Sequence, residues 1–406
     1  MIGNWSALQM QQVVRGFLAY QITGSFAALG GVALANSVPR LALALSGGVI
    51  ADRSNRRHVM QLGQAFNALM AAVVATLLFM DMLRFEHLVI AAVFQGISNS
   101  FTQPARQAMI AQLVGSERLN NAIGLNTSAM NAMRLLAPAL AGVLLATIGA
   151  SWVYVLMATL YGCAVIAMTR VPAEIGQPGM RGGVSGGGAA RPATARAGSP
   201  GGSRGGLRDI REAFAYLRRE PMLMLLLVVH LFIVLFSQPY QRLLPGFVDD
   251  VLSSSPEQTA IRMGLLLTFT GLGALAGSLV VASLPNRGRG RLLIGSIVVL
   301  GLALLAFSAS SIFWLSAAIV VVLGVGQAGR QSLSNILIQT RVEDEYRGRI
   351  SSIMMMEMGL ESLGTFAIAV LAEAIGVQWA LEGVAIGLLC VALVVAVLAP
   401  SYRRLD

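Results

Sequence analysis

Lysine is absent from this chain of 406 residues, and all 29 basic side chains are arginine. Charge of either sign is scarce, at 12% of residues against roughly 25% in soluble domains. With 56% hydrophobic residues and a mean hydropathy of +0.71, that scarcity excludes a water-soluble globule. Cysteine is rarer still. Cys163 and Cys390 each lie inside an apolar run, form no CxxC or Cys/His ligand spacing, and are expected as buried structural thiols. The chain also lacks a nucleotide-binding glycine loop, a metal-ligand cluster and a nucleophile with a placed base. No catalytic residue, metal or cofactor is therefore expected, and a membrane-bound enzyme finds little support.

What is abundant is glycine, 44 residues spread through apolar runs, as transmembrane helices tolerate. Apolar stretches lie near 27–50, 59–80, 87–111, 122–147, 151–170, 222–248, 261–284, 291–309, 312–338, 350–372 and 378–399. Met1 to Tyr20 is a weaker twelfth span, because it carries Asn4, Gln9, Gln11, Gln12 and Arg15. It has no basic leader or small-residue cleavage site, so it does not read as a signal peptide, and it is expected to be a first helix shortened at its N-terminus. Twelve helices at ~20 residues each use about 240 residues, which leaves short loops and one long connection.

That connection is residues 171–220. Its stretch 176–206 holds 12 glycines and three prolines with almost no large apolar side chain, the composition of a flexible linker. Near 207–219, Leu207, Ile210, Phe214 and Leu217 recur at helical spacing between arginines, which predicts an amphipathic helix on the membrane surface. The chain thus divides into 1–170, a linker 171–220, and 221–406.

A net charge of +10 would suit nucleic-acid binding in a soluble protein, but in a membrane chain arginine marks the cytoplasmic side. Eight arginines against four acids place 171–220 inside, and counting spans then puts both termini inside and the uncharged turns at 149–151 and 308–311 outside. The lipid bilayer is therefore the partner expected, with no nucleic acid. An internal repeat supports two halves. Val49-Ile-Ala51 with Asn55-Arg56 aligns with Val280-Val-Ala282 and Asn286-Arg287, and Arg106-Gln107 aligns with Arg330-Gln331. The expected fold class is an all-α polytopic membrane protein, twelve helices in two pseudo-symmetric six-helix bundles.

The most specific local motif is Gly48-Val-Ile-Ala-Asp52-Arg53-Ser-Asn55-Arg56-Arg57-His58, at the end of the second span. Gly48 permits close helix approach, and Asp52 is a carboxylate at a membrane boundary beside several arginines. Its expected partner is Arg106, a helix N-terminus across the interface between halves, or both, which would make Gly48, Asp52, Arg53, Arg56, Arg57 and Arg106 a conformational latch. The motif resembles G-x-L-A-D-R-x-G-R-R of the major facilitator superfamily, with Ile50 for leucine and Asn55 for the second glycine. Pro104-Ala-Arg106-Gln107, Asn121-Ala-Ile-Gly124-Leu-Asn126, Arg134-Leu-Leu-Ala-Pro138, Leu244-Pro245 and Tyr346-Arg-Gly-Arg349 are similar to its branch of enterobactin and macrolide exporters. Proton-coupled exporters of that superfamily carry G-x8-G-x3-G-P-x2-G-G in the fifth helix. Here the frame reads Gly124, Met133, Ala137-Pro138 and Ala141-Gly142, a partial match that still suits close helix packing, and Ala92 stands where a fourth-helix arginine is expected.

Ionisable residues inside spans are costly and are candidates for function. Arg134, His230, Arg330, Glu357 and Glu361 meet that description. Glu357 and Glu361 are four apart, on one helix face, as a proton-carrying pair requires. Two other readings stand beside it: the glutamates reach cytoplasmic water, or they neutralise Arg134 or Arg330. His230 has no second ligand nearby and reads as a hydrogen-bonded or cavity-lining histidine. Asn99, Gln103, Asn126, Asn131, Gln238, Tyr240 and Gln241 are expected to line a cavity suited to a bulky amphipathic solute. The resemblance implies export of a small-molecule substrate from a bacterial inner membrane, driven by proton antiport, by a chain acting as a monomer. A facilitator or importer on the same scaffold, or a transport-inactive sensor, are the alternatives.

Overall fold

The structure, a computed structural model, describes residues 2–43, 54–170, 216–218, 220–253, 255–283, 288–342, 347–399 and 402. Gly48, Asp52, Arg53 and the linker as far as 215 lie outside the described residues, as do the side chains at 124, 131 and 134. The helices are α1 (Ile2–Thr23), α2 (Phe26–Ala42), α3 (Arg56–Phe79) and α4 (Phe85–Thr169), then α5 (Pro221–Ser237), α6 (Pro239–Phe247) and a π-helical turn Val248–Leu252. They continue with α7 (Pro256–Ser283), α8 (Arg289–Ser308), α9 (Phe313–Arg341), α10 (Arg347–Ile375) and α11 (Val377–Leu398).

Helix α4 is one hydrogen-bonded run of 85 residues, about 128 Å if straight. It is not straight. Gln95 and Tyr161 both bond to Gln11, and Arg106 and Met133 meet the adjacent residues Trp5 and Ser6. The chain therefore reverses twice inside this run, once between Arg106 and Met133 and again at Gly149, whose φ of +77° suits a residue without Cβ. Three spans of the sequence, the fourth to sixth, share α4. Conversely the seventh span is broken into α5, α6 and the π turn, where Pro239 removes a ladder donor at the first position of α6. Counted by crossings, the helices make twelve spans.

Among the described residues, seven stretches are long and apolar enough to cross a membrane on composition alone: α3, the end of α4, α5 through the π turn, α7, α8, α9 and α11. Helix α1 falls short because of one polar face. Its 22 residues extend about 33 Å, a full membrane core. Asn4, Gln11 and Arg15, on one side of the helix, are each buried against the rest of the first half. The molecular exterior is apolar in turn, with Leu62, Leu279 and Trp314 each 71% exposed, the reverse of a soluble protein.

Both cysteines correct the sequence expectation: Cys163 and Cys390 are exposed, not buried. Each lies on the outer face of its helix, where lipid accepts a thiol as readily as a protein core does. Apolarity fixes that such a residue is in a span but not which face it takes. Of the predicted amphipathic helix, only 216–218 is described; it is helical, and Tyr216 and Leu217 are buried in the core.

Among the described residues, the halves meet along two equivalent helix–helix seams and at the α1–α2 turn. In one, α2 lies on α10: a Cβ on Gly30 would stand 2.8 Å from Ala369 Cβ, Ser37 and Ser362 hydroxyls are 2.5 Å apart, and Leu41 fills the space at Gly359. In the other, the fifth span within α4 meets α7, where Gly142 lies so close to Gly264 that a Cβ on it would collide with the Gly264 backbone. The second and eighth spans are equivalent in the two halves, as are the fifth and eleventh. The seams are thus two copies of one contact, as an internal repeat demands.

Candidate functional site

Among the described residues, two buried polar clusters lie within the spans, one in each half. The first is built on the polar face of α1. The Gln95 amide donates to Gln11 Oε1, and the Tyr161 hydroxyl donates to the same oxygen at 3.2 Å. Asn36 Nδ2 of α2 donates to Gln95 Oε1 at 3.3 Å and to the Ala92 carbonyl at 3.1 Å. Gly96 makes that approach possible, since a Cβ there would collide with the Asn36 carbonyl. Four helical segments are tied together through two glutamines. Arg15, 3% exposed, stands within electrostatic reach of Tyr154 and Tyr161, which are fully buried. Arg106, 2% exposed, stacks its guanidinium 4.3 Å above the Trp5 ring.

The second cluster gathers most of the candidates read from the second half of the chain. His230 Nε2 of α5 lies 3.6 Å from Glu357 Oε2 of α10, an ion-pair distance if the imidazole is protonated and too long for a hydrogen bond. Arg330 of α9 is fully buried and exerts its charge on His230 and Tyr240, while its Nη2 donates to Gln331 at 3.2 Å. Gln327 Nε2 donates to Gln238 Oε1 at 3.5 Å, and Gln241 Nε2 to the Tyr240 hydroxyl at 3.2 Å. Helices α5, α6, α9 and α10 thus converge on one histidine, one carboxylate, one guanidinium and several amides. Glu361, one turn further along α10, is half-buried and is not part of the ion pair.

Arg106 and Arg330 occupy equivalent places in the fourth and tenth spans, and both are buried. Asn99 is buried on the face of α4 that carries Gln95, while Gln103 and Asn126 are half-buried and Gln241 is exposed. At the loop between the second and third spans, Asn55 Oδ1 caps α3 by accepting from the Arg57 N–H at 3.0 Å. That explains asparagine at a position where the superfamily motif has glycine. Arg57 Nη2 reaches the Thr169 carbonyl at 3.1 Å, near the last residues of α4. Pro138 lies inside α4, one turn before the seam at Gly142. Among the described residues no three metal-ligating side chains come together.

Sequence reasoning passed over four members of the first cluster. Gln11 and Arg15 weaken the apolar signal of α1, yet their spacing of four on one face was the available sign of a buried polar seam. Tyr154 and Tyr161, seven apart in the sixth span, carry the same sign. Glu373 was missed for a different reason. It accepts from the Phe26 N–H at 2.6 Å and the Ala27 N–H at 3.4 Å across the interface between halves, a contact with no local pattern.

Comparison with known proteins agrees with this architecture. The chain is 22% identical over 402 residues to the staphyloferrin A transporter of Staphylococcus aureus, covering 97% of this chain and 92% of that one. It is 24% identical over 398 residues to macrolide efflux protein A of Streptococcus pyogenes, covering 96% and 91%. It is also 24% identical over 402 residues to the multidrug efflux pump Tap of Mycobacterium tuberculosis, covering 96% and 89%. A bacterial homologue of the lysosomal transporter Spinster, in an inward-facing and occupied conformation, superposes with a TM-score of 0.71 at 14% identity, covering 99% of this chain and 96% of that one. A bacterial homologue of the iron transporter ferroportin, inward-facing, gives 0.70 at 16% identity with the same coverages. These likenesses establish the fold. The family model for transmembrane secretion effectors matches residues 1–180 and 204–403, nearly the whole chain. The chain is therefore a multi-pass membrane transporter, not an enzyme, and belongs to the transmembrane secretion effector family of the major facilitator superfamily.

Proposed function

We propose that this protein exports a hydrophobic or amphipathic small molecule across a bacterial inner membrane by alternating access, with protons moving inward as the driving ion. The observation that carries the reading is the buried pair of His230 and Glu357 beside Arg330, at the meeting of α5, α9 and α10. Ionisable groups held inside spans mark ion or substrate pathways. A proton delivered to Glu357 neutralises a carboxylate that is costly to keep charged inside a span, and losing that proton restores the charge beside His230, so the packing of α5 against α10 differs between the two protonation states. That difference is what a coupling site must supply, because an ion biases a conformational equilibrium only through unequal affinity for its states. Gln238, Tyr240 and Gln327 give the cargo polar contacts beside apolar walls.

Orientation follows the arginine pattern, with both termini and the linker 171–220 cytoplasmic and the α1–α2 turn outside. Gly48, Asp52 and the arginines beside them would latch the cytoplasmic side while the carrier faces outward, and a single copy suffices. Efflux into inside-out vesicles energised by a proton gradient, with macrolide and siderophore probes, tests the reading. Gradient-dependent uptake by vesicles holding the chain, lost on collapsing the gradient, is the expected result. Cargo moving only down its own gradient would identify a facilitator instead.

A further inference from the structure

Two carboxylates of the second half grip one turn of the first. The α1–α2 turn is two residues long, Gly24-Ser25, with Gly24 at φ +62°, and the residues that flank it face the partner half. On one side, the Tyr20 hydroxyl donates to Asp250 Oδ1 of the π-helical turn at 2.5 Å. On the other, Glu373 Oε2 of α10 accepts from the first two N–H groups of α2, Phe26 and Ala27. Those N–H groups have no partner within their helix, and the carboxylate also opposes the positive end of the α2 dipole. The next N–H, that of Ala28, is taken by Ser25 Oγ at 3.3 Å. The rings of Tyr20 and Phe26 lean against each other at 54° with centroids 5.0 Å apart, and Gly246 of α6 is fitted against both, with room for no Cβ. Directly beneath, Gly30 seats on Phe366 and Ala369.

We propose that Glu373, together with the bond between Tyr20 and Asp250, is the external latch of the carrier, holding the α1–α2 turn of the first half to α10 and the π turn of the second. The inference rests on the alternating-access reading above. Every opening to the outside draws the halves apart at this end and must break both contacts. Asp250 and Glu373 are themselves exposed on the side the charge pattern places outside, so external water can take over the freed donors. The latch is therefore reversible on each cycle. Glu373 acts as a positioning residue, since it stabilises one state of the carrier and touches no cargo.

The test uses the full chain in proteoliposomes or intact cells, with Cys163→Ser and Cys390→Ser as background and Ser37→Cys as reporter. Ser37 lies eleven residues below the latch, against Ser362. An impermeant maleimide added outside reaches position 37 only when the external side opens. Glu373→Ala is expected to raise its labelling rate by about two- to fivefold, the effect of one charge at an exposed helix terminus. Tyr20→Phe should do the same, and the double variant should exceed either. Glu373→Asp should fall back toward the parent rate, which a merely structural role would not require. Glu373→Gln keeps the acceptor oxygen without the charge and should lie between, and it serves if the alanine variant is poorly made. A labelling rate unchanged in Glu373→Ala and Glu373→Gln overturns the latch while leaving the carrier reading intact. If position 37 stays unreactive from outside in parent and variants alike while Ser151→Cys reacts, no outward-open state forms, and the alternating-access reading falls with the latch.

Discussion

Replacing Glu357 by glutamine keeps the side chain's shape and one acceptor oxygen, but it removes the charge that faces His230 at 3.6 Å and the capacity to carry a proton. Gradient-driven export by Glu357→Gln is expected to fall tenfold or more, corresponding to ~1.4 kcal/mol of lost coupling. Exchange of labelled for unlabelled cargo at equal pH should survive, because binding and rocking do not require the proton. Full gradient-driven export by this variant would remove Glu357 as the coupling group. Gln11 makes a different kind of case. Its one carbonyl oxygen serves both Gln95 and Tyr161, so Gln11→Leu leaves two buried donors without an acceptor. Orphaned donors cost about 1–3 kcal/mol, and a clear drop in the midpoint of thermal unfolding in detergent is expected. Gln11→Glu, which restores acceptors but adds a charge, separates the loss of the bonds from the loss of the shape. An unchanged midpoint in Gln11→Leu would show that the network contributes nothing to stability.

At the scale of helices, neighbouring glycines of α2 provide a matched comparison. A Cβ added at Gly30 would come within 2.9 Å of the Phe366 backbone, whereas one added at Gly31 meets nothing within 4 Å. Gly30→Ala should push α2 off α10 and cost roughly 1–3 kcal/mol, as overpacking does. Gly31→Ala should be neutral, or stabilising by up to about 1 kcal/mol through helix propensity. Unfolding midpoints of the two variants measured side by side decide the matter, and equal values would mean that the seam is looser than the structure shows. What the sequence disclosed about these elements follows the same logic of packing. Spans were legible because lipid requires an uninterrupted apolar stretch, and the breaks at Pro239 and Gly149 fall at residues whose backbone chemistry is local. Helix α1 was the least legible, since its polar face is paid for by Gln95 and Tyr161, more than 80 positions away. His230, Arg330 and Glu357 could be singled out because charge inside a span is conspicuous, but their meeting in one cluster depends on how α5, α9 and α10 cross. Glu373 and the lipid-facing cysteines depend on helix rotation, which composition does not encode.

For the whole molecule, two independent features support the proposed orientation. Trp152, Trp314 and Trp379 are exposed residues near the starts of the sixth, tenth and twelfth spans, and counting crossings puts all three at the same end. Exposed tryptophans gather at the membrane–water boundary, so these three mark one interface. By the same count of crossings, the connections that carry the arginines of 53–57, 170, 181–219, 287–291, 341–349 and 403–404 belong to the other end. Arginine-rich loops stay in the cytoplasm, which supports reading the tryptophan belt as the outer boundary. In the cysteine-free background, Ser151→Cys should then react with an impermeant maleimide in intact cells. Ser185→Cys, in the glycine-rich connection, should react only after the membrane is permeabilised. Reaction at 185 in intact cells would invert the topology. Glu373 and Asp250 would then face the cytoplasm, and the same twelve helices would have to be read as a carrier whose described seal is on its inner side.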